Sequence, residues 1–183
     1  MERSTIIAGF GGQGILFAGK VLAEAALGQG LEVLWIPSYG PEMRGGTASC
    51  TVIVSDRAIG SPIVDRADHA VVLNPPSMAK YTPKVAAGGL LVVNTTLIEA
   101  EAGRADLEVL DVPCTSLARK AGDDKLVSVV ALGALLGRRR FVDPENVHAA
   151  LARLLGNKRP DLVAADIAAF DAGYEAGLEK VVA

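Results

Sequence analysis

Up to Pro113 the chain alternates short apolar runs with breaks rich in glycine and proline, and beyond it the pattern turns helical. Strands are predicted at Thr5–Gly9, Leu31–Ile36, Ala48–Ser55, Ala70–Asn74, Leu90–Asn94 and Glu108–Pro113. Most are continuous apolar runs, as expected for strands buried on both faces of a parallel sheet; only Ala48–Ser55 alternates in part. Ile15–Leu27 reads as a helix closed by Gly28-Gln29-Gly30, with the glycine expected past a helix end. The succession Thr5–Gly9, Ile15–Leu27, Leu31–Ile36 is therefore a βαβ unit, which implies parallel strands. Pro75-Pro76 ends one strand, and Ser77 is the expected N-cap of a short helix to about Tyr81. Helices follow at Thr115–Ala121, Leu126–Arg138, Asp143–Leu155 and Asp161–Gly177, the third opened by Asp143-Pro144-Glu145.

Chemistry is concentrated where the first strand meets the first helix. Gly9-x-Gly11-x-x-Gly14 sits in a strand–turn–helix context, where glycines admit positive φ and let a ligand reach the backbone. The uncapped N–H groups and dipole of the helix start suit a phosphate or another anion. A competing reading gives these glycines only a tight turn and close helix–strand packing. A dinucleotide site would also need an acid near the end of the second strand to hold the ribose. The chain has Pro37-Ser38-Tyr39 there, and Glu32 lies at the strand's start, so ordinary NAD binding is disfavoured.

The next stretch, Pro37 to Thr47, leaves the C-terminal end of that strand, the edge where open α/β sheets bind ligands. Arg44 followed by Gly45-Gly46 pairs a guanidinium with bare backbone, suited to a phosphate or carboxylate; the alternative is a surface loop with a solvated Arg. The Asn74-Pro75-Pro76 and Asn94-Thr95-Thr96 turns also follow strand ends and should share the same rim. His69 and His148 lack a Ser, Cys or metal-ligand partner at useful spacing and read as structural. No acid–base couple or nucleophile elbow is visible, so the pattern is that of a binding domain and not a complete catalyst.

Composition narrows this further. At 183 residues one domain, 1–183, is expected, and half the residues are hydrophobic, as in an ordered globular chain. A net charge of −3 argues against nucleic acid as a partner. Arg138-Arg139-Arg140 reads as a solvated helix end facing the helix C-terminus. Cys50 and Cys114 are too few and too far apart to hold a cluster or a structural zinc, and are expected as buried free thiols. Met1-Glu2-Arg3-Ser4 runs straight into a strand, leaving no room for a signal peptide, and Leu126–Leu136 falls short of the ~20 residues of a membrane span. A cytoplasmic protein is expected.

Three segments, Gly9-Phe10-Gly11-Gly12-Gln13-Gly14-Ile15, Ser38-Tyr39-Gly40-Pro41-Glu42-Met43-Arg44-Gly45-Gly46-Thr47 and Ile59-Gly60-Ser61-Pro62, together resemble the gamma subunit of 2-oxoacid:ferredoxin (acceptor) oxidoreductases. The resemblance runs from about Ile6 to Gly137. It implies an α/β, Rossmann-like fold: an open, mostly parallel sheet with helices on both faces and a helical C-terminal part. It also implies alpha and beta subunits as partners, ferredoxin reached through the complex, and neither nucleic acid nor membrane; dimerisation of the isolated chain is left open. Such a complex decarboxylates a 2-oxoacid, such as 2-oxoglutarate or pyruvate, and makes an acyl-CoA. Thiamine diphosphate, Mg and iron–sulfur clusters would sit on partner subunits only, so the isolated chain is expected to be inactive.

Coenzyme A, as co-substrate, would be held at least partly here, by Gly9, Gly11, Gly12, Gln13, Gly14, Tyr39, Arg44, Gly45, Gly46 and Thr47. Its diphosphate and 3′-phosphate suit a glycine turn that lacks a ribose-reading acid. No catalytic or metal residue is expected on this chain. The beta subunit of indolepyruvate:ferredoxin oxidoreductase shares the Gly-Gly-Gln-Gly turn but usually reads His-Gly-Met-x-Gln-Arg-Gly-Gly in the second loop, unlike Tyr39 and Pro41-Glu42 here. A stand-alone nucleotide-binding domain is the third reading. The gamma family often has Asn-Met-Val before the Ala-Leu-Gly of the late helix; this chain has Ser128-Val129-Val130, so that Asn's role is not carried over.

Overall fold

A computed structural model describes residues 1–38, 47–156 and 159–179. The elements in chain order are β1 (Glu2–Phe10), α1 (Ile15–Gly28), β2 (Glu32–Ser38), β3 (Thr47–Ser55), β4 (Ala67–Val72), α2 (Pro75–Tyr81), β5 (Val85–Asn94), β6 (Glu108–Val112), α3 (Cys114–Ala121), α4 (Val127–Arg139), α5 (Pro144–Leu155) and α6 (Pro160–Glu179). Among the described residues the strands form one sheet in the order β2-β3-β1-β4-β5-β6. β1, β4, β5 and β6 pair in parallel, whereas β3 runs antiparallel between β1 and β2.

The sheet is therefore mixed, and the expected βαβ unit holds in strand direction with a further strand inserted between its two strands. β1 and β2 point the same way, but they do not pair, because β3 lies between them. Only residues 39–46 separate β2 from β3. That is too short for a parallel crossover, which takes a dozen residues or more, so the chain turns back antiparallel.

The apolar runs behave as buried strands do. Along β1, Ile7 faces one hydrophobic layer while Ile6 and Ala8 face the other, and in β5 Leu90 and Val92 oppose Leu91 and Val93. α1 and α3–α6 pack on the first layer; the short α2, with Met78 and Tyr81, packs on the second. Helices thus lie on both faces, very unequally. The N-cap of α2 is Asn74, not Ser77: Ser77 N–H donates to Asn74 Oδ1 at 2.8 Å. Pro75 then occupies the first turn, where its missing N–H costs nothing.

α4 is buried from Val127 to Gly137 and packs along α6 through two small-residue steps. A Cβ placed on Gly133 or Gly137 would lie 2.1 or 2.2 Å from the Phe170 or Tyr174 carbonyl oxygen. One on Gly173 or Gly177 would lie 1.9 or 2.4 Å from the Val130 or Ala134 oxygen. The two backbones touch where side chains are missing. The arginine triplet at the C-terminal end of α4 is not a plain solvated end. Arg138 and Arg139 both pair with Glu108 of β6, the latter at 2.8 Å, and Arg140 (φ 47°) ends the helix in the left-handed region.

Candidate functional site: the rim around the glycine turn

β1 delivers Phe10 to the end of the sheet, and the chain then turns through Gly11 and Gly12. Gln13 folds back over this turn. Phe10 N–H donates to Gln13 Oε1 at 2.7 Å, and Gln13 N–H donates to the Phe10 carbonyl at 3.2 Å. Gly14 (φ 75°, ψ 19°) is the N-cap of α1, in a left-handed conformation that favours glycine. It contributes no side-chain cap, and the first turn of α1 carries no acid. The positive end of α1 thus faces the rim unneutralised.

The glycines are there for different reasons. A Cβ on Gly9 would lie 2.5 Å from Gln13 Oε1 and 2.8 Å from Ile15 Cδ1, so Gly9 serves packing. One on Gly14 would lie 2.7 Å from Ser128 Oγ, whose hydroxyl donates to the Gly14 carbonyl at 3.0 Å. Gly12 (φ 96°) has no atom within 4 Å of its would-be Cβ among the described residues. Packing thus accounts for Gly9 and in part for Gly14, and leaves the open approach to Gly12 unexplained.

That approach opens on a cleft of about 270 Å³, where Gly12 and Gln13 face Leu97, Thr115, Arg119 and Lys125. Thr115 is held by Asn94 at the end of β5: Asn94 Nδ2 donates to Thr115 Oγ1 at 3.0 Å, and Thr115 N–H donates to Asn94 Oδ1 at 3.2 Å. Arg119 forks onto Asp124 at 2.7 and 3.1 Å, which holds that carboxyl below its ordinary range. The Lys125 ammonium has no ion-pair partner among the described residues. The cleft therefore offers backbone donors, a helix dipole and one uncommitted cation.

The expected shared rim is present. Phe10 pairs with Thr47, Ser38 with Ser49, Val72 with Val93 and Asn94 with Val112, which aligns the ends of all six strands that border the turn. Thr47 opens β3 beside the glycine turn. Tyr39, Arg44, Gly45 and Gly46 lie outside the described residues. Ile59-Gly60-Ser61-Pro62 belongs to the opposite rim, because antiparallel β3 ends at Ser55 against Glu2 and Glu32.

His69 and His148 stand away from the cleft. His69 is buried, stacks on Phe141 and has Nδ1 3.3 Å from Thr5 Oγ1; burial depresses its pKa to about 4. His148 Nε2 lies 2.7 Å from Asp171 Oδ1 on α6. Cys50 and Cys114 are buried and free, and burial pushes both thiols up to about 12. Lys125, Arg119 and Thr115 are not indicated by sequence, because only the folding of distant segments brings them to the turn; Ser128 is marked there only as standing where the family often has Asn.

Residues 4–176 match the family model of pyruvate ferredoxin/flavodoxin oxidoreductase. The chain belongs to this family. Its ketoisovalerate oxidoreductase relative, subunit VorA of Methanothermobacter thermautotrophicus, is 42% identical over 71% of this chain, and this chain spans 27% of that protein's length. The 2-oxoglutarate synthase subunit KorC of Archaeoglobus fulgidus is 35% identical over 96% of this chain and 88% of its own. Among solved structures, the gamma subunit of a keto/oxoacid ferredoxin oxidoreductase from Geobacter sulfurreducens superposes with a TM-score of 0.84 at 27% identity, covering 97% of this chain and 99% of that one. A 2-oxoglutarate:ferredoxin oxidoreductase from Magnetococcus marinus with 2-oxoglutarate, coenzyme A and succinyl-CoA bound shares the fold: its TM-score is 0.90 at 23% identity, over 100% of this chain and 32% of that one.

Proposed function

We propose that this chain is the gamma subunit of a 2-oxoacid:ferredoxin oxidoreductase, and that its glycine-turn rim holds part of coenzyme A. The observation that carries the reading is Gly12, at φ 96° with no atom of the described residues where a side chain would stand, beside the uncapped start of α1 and the ammonium of Lys125. A diphosphate lying there would accept backbone N–H bonds, gain from the helix dipole and pair with Lys125. The relatives named as subunits of 2-oxoglutarate synthase and ketoisovalerate oxidoreductase, and the neighbour solved with coenzyme A, support the same assignment. Gly11, Gln13 and Thr47 would shape the site, with Tyr39, Arg44, Gly45 and Gly46 contributing from the adjoining loop. Thiamine diphosphate, its Mg ion and the iron–sulfur clusters belong in this proposal to alpha and beta partners, as does the docking of ferredoxin.

The test is co-expression with those partners, followed by acyl-CoA formation assayed over a panel of 2-oxoacids with a dye acceptor. The complex should turn over a 2-oxoacid only when coenzyme A is supplied, and the isolated chain should not turn over. Turnover by the isolated chain, or its failure to join any such complex, contradicts the proposal.

A further inference from the structure

The sheet face opposite the main helical layer is met over β5 and β6 by Ile98, Ala102 and Leu107, which lie on the segment joining those strands. Two adjoining depressions flank that segment's Ala100–Ala102 stretch. One, of about 300 Å³, opens between Met78, Val93 and Val109; the other, of about 330 Å³, opens between Pro75, Ala79 and Pro83. Met78, Ala100, Glu101 and Ala102 border both.

The walls are fixed by Arg104. Its Nη1 donates to the Thr82 carbonyl at 3.0 Å and the Val85 carbonyl at 2.8 Å, while its Nε donates to Asp106 Oδ1 at 2.9 Å. That guanidinium is committed to two carbonyls and to the Asp106 carboxylate, which takes up its charge in place of the mouth of the groove. Glu99 and Glu101 stand exposed there without an ion-pair partner among the described residues.

We propose that this groove receives an extended, basic segment of a partner subunit. An apolar side chain would seat against Met78, and a Lys or Arg would meet Glu99 and Glu101. Because the walls are already held by Arg104, little ordering is needed on this side. The inference rests on the reading of this chain as one subunit of a larger oxidoreductase, and it places a partner contact on the sheet face opposite the main helical layer, with Ile98 and Glu99 of the groove following Leu97 of the glycine-turn cleft along the chain.

The test uses the complex co-expressed with its alpha and beta partners, in wild-type form and with Glu99→Lys/Glu101→Lys or Ala79→Trp. All three altered positions are exposed, and circular dichroism verifies folding. The charge reversal should weaken retention of the partners by roughly tenfold or more and reverse the sign of its salt dependence, because added salt then screens a repulsion; Ala79→Trp should weaken it with the salt dependence intact. Unchanged assembly in both variants overturns the groove while leaving the subunit reading standing. Failure of the wild-type chain to assemble overturns both. If the substitutions instead dissociate a homodimer of the isolated chain and spare the complex, the occupant is a second copy and the proposal is wrong.

Discussion

The Ser128 hydroxyl on α4 donates to the Gly14 carbonyl at 3.0 Å, and its Oγ is also the atom that a side chain at Gly14 would strike. One residue thus positions the glycine turn and forbids its enlargement. Ser128→Ala should cost about 0.5–1.5 kcal/mol, since the Gly14 carbonyl keeps the Ala18 N–H at 2.9 Å. Gly14→Ala adds both the positive-φ penalty and the clash, so in the double variant part of the clash disappears. Urea denaturation of all four proteins should give a double variant more stable than additivity predicts. Strict additivity would mean that the two residues do not press on each other.

The seam between α4 and α6 reverses the usual sign of a helix substitution. Gly→Ala within a helix normally stabilises by about 0.5–1 kcal/mol. At Gly173, whose Cβ would lie 1.9 Å from the Val130 oxygen, or at Gly133, the helices must separate, and a loss of about 1–3 kcal/mol is expected. Thermal unfolding reads this directly, and a raised midpoint for Gly173→Ala would refute the close backbone contact.

Two buried titratable groups set opposing pH trends. The His69 pKa is depressed by burial from its ordinary 6.5 to about 4, so its stabilising contribution is complete above 6.5 and is lost as pH falls toward 4. The Asp166 carboxyl is raised by burial from 3.8 to about 6, so its contribution is complete below 3.8 and is lost as pH rises through 6. Denaturant titrations between about pH 4 and 7 should therefore show His69→Phe losing less stability on acidification than the wild type, and Asp166→Asn losing less on return to neutrality. Profiles parallel to the wild type would show that neither group titrates abnormally.

Lys125 should act on the ligand and not on the fold. Its ammonium lines the cleft without an ion-pair partner among the described residues, the neighbouring Asp124 being held by Arg119, so Lys125→Ala should leave stability within about 0.5 kcal/mol. A charge-assisted contact of about 1.5–3 kcal/mol would raise the Michaelis constant of the assembled complex for coenzyme A by roughly tenfold or more. Unaltered coenzyme A kinetics would remove Lys125 from the site.

Much of this architecture was legible in sequence, because strand and helix periods are local. The uninterrupted runs Ile6–Ala8 and Leu90–Val93 announced strands buried on both faces, and both proved to divide between two hydrophobic layers. The reversed β3 was also legible in principle: the short connection after Ser38 excludes a parallel crossover between β2 and β3, whereas the βαβ pattern concerns only β1 and β2, which do run the same way. What local pattern could not supply was contact across the chain. Ser128 meets Gly14 across 114 positions, Arg139 meets Glu108 across the sheet edge, and the glycines of α4 meet α6 only once both helices are docked. The glycine motif itself did not reveal which of its members are spacers; only the space around each shows that Gly9 is filled and Gly12 is open.

The most direct measurement is coenzyme A affinity of the assembled complex carrying Gly12→Ala, set against Gly30→Ala. Both glycines have positive φ, 96° and 82°, and neither has an atom of the described residues within 4 Å of its would-be Cβ, so the two substitutions carry similar backbone strain of about 1–3 kcal/mol. Gly30 lies at the far end of α1, beside the start of β2 and away from the cleft. Isothermal titration should show affinity reduced by roughly tenfold or more for Gly12→Ala and unchanged for Gly30→Ala, with comparable losses of stability. Equal coenzyme A affinity in both variants would contradict the claim that the glycine turn is a phosphate cradle.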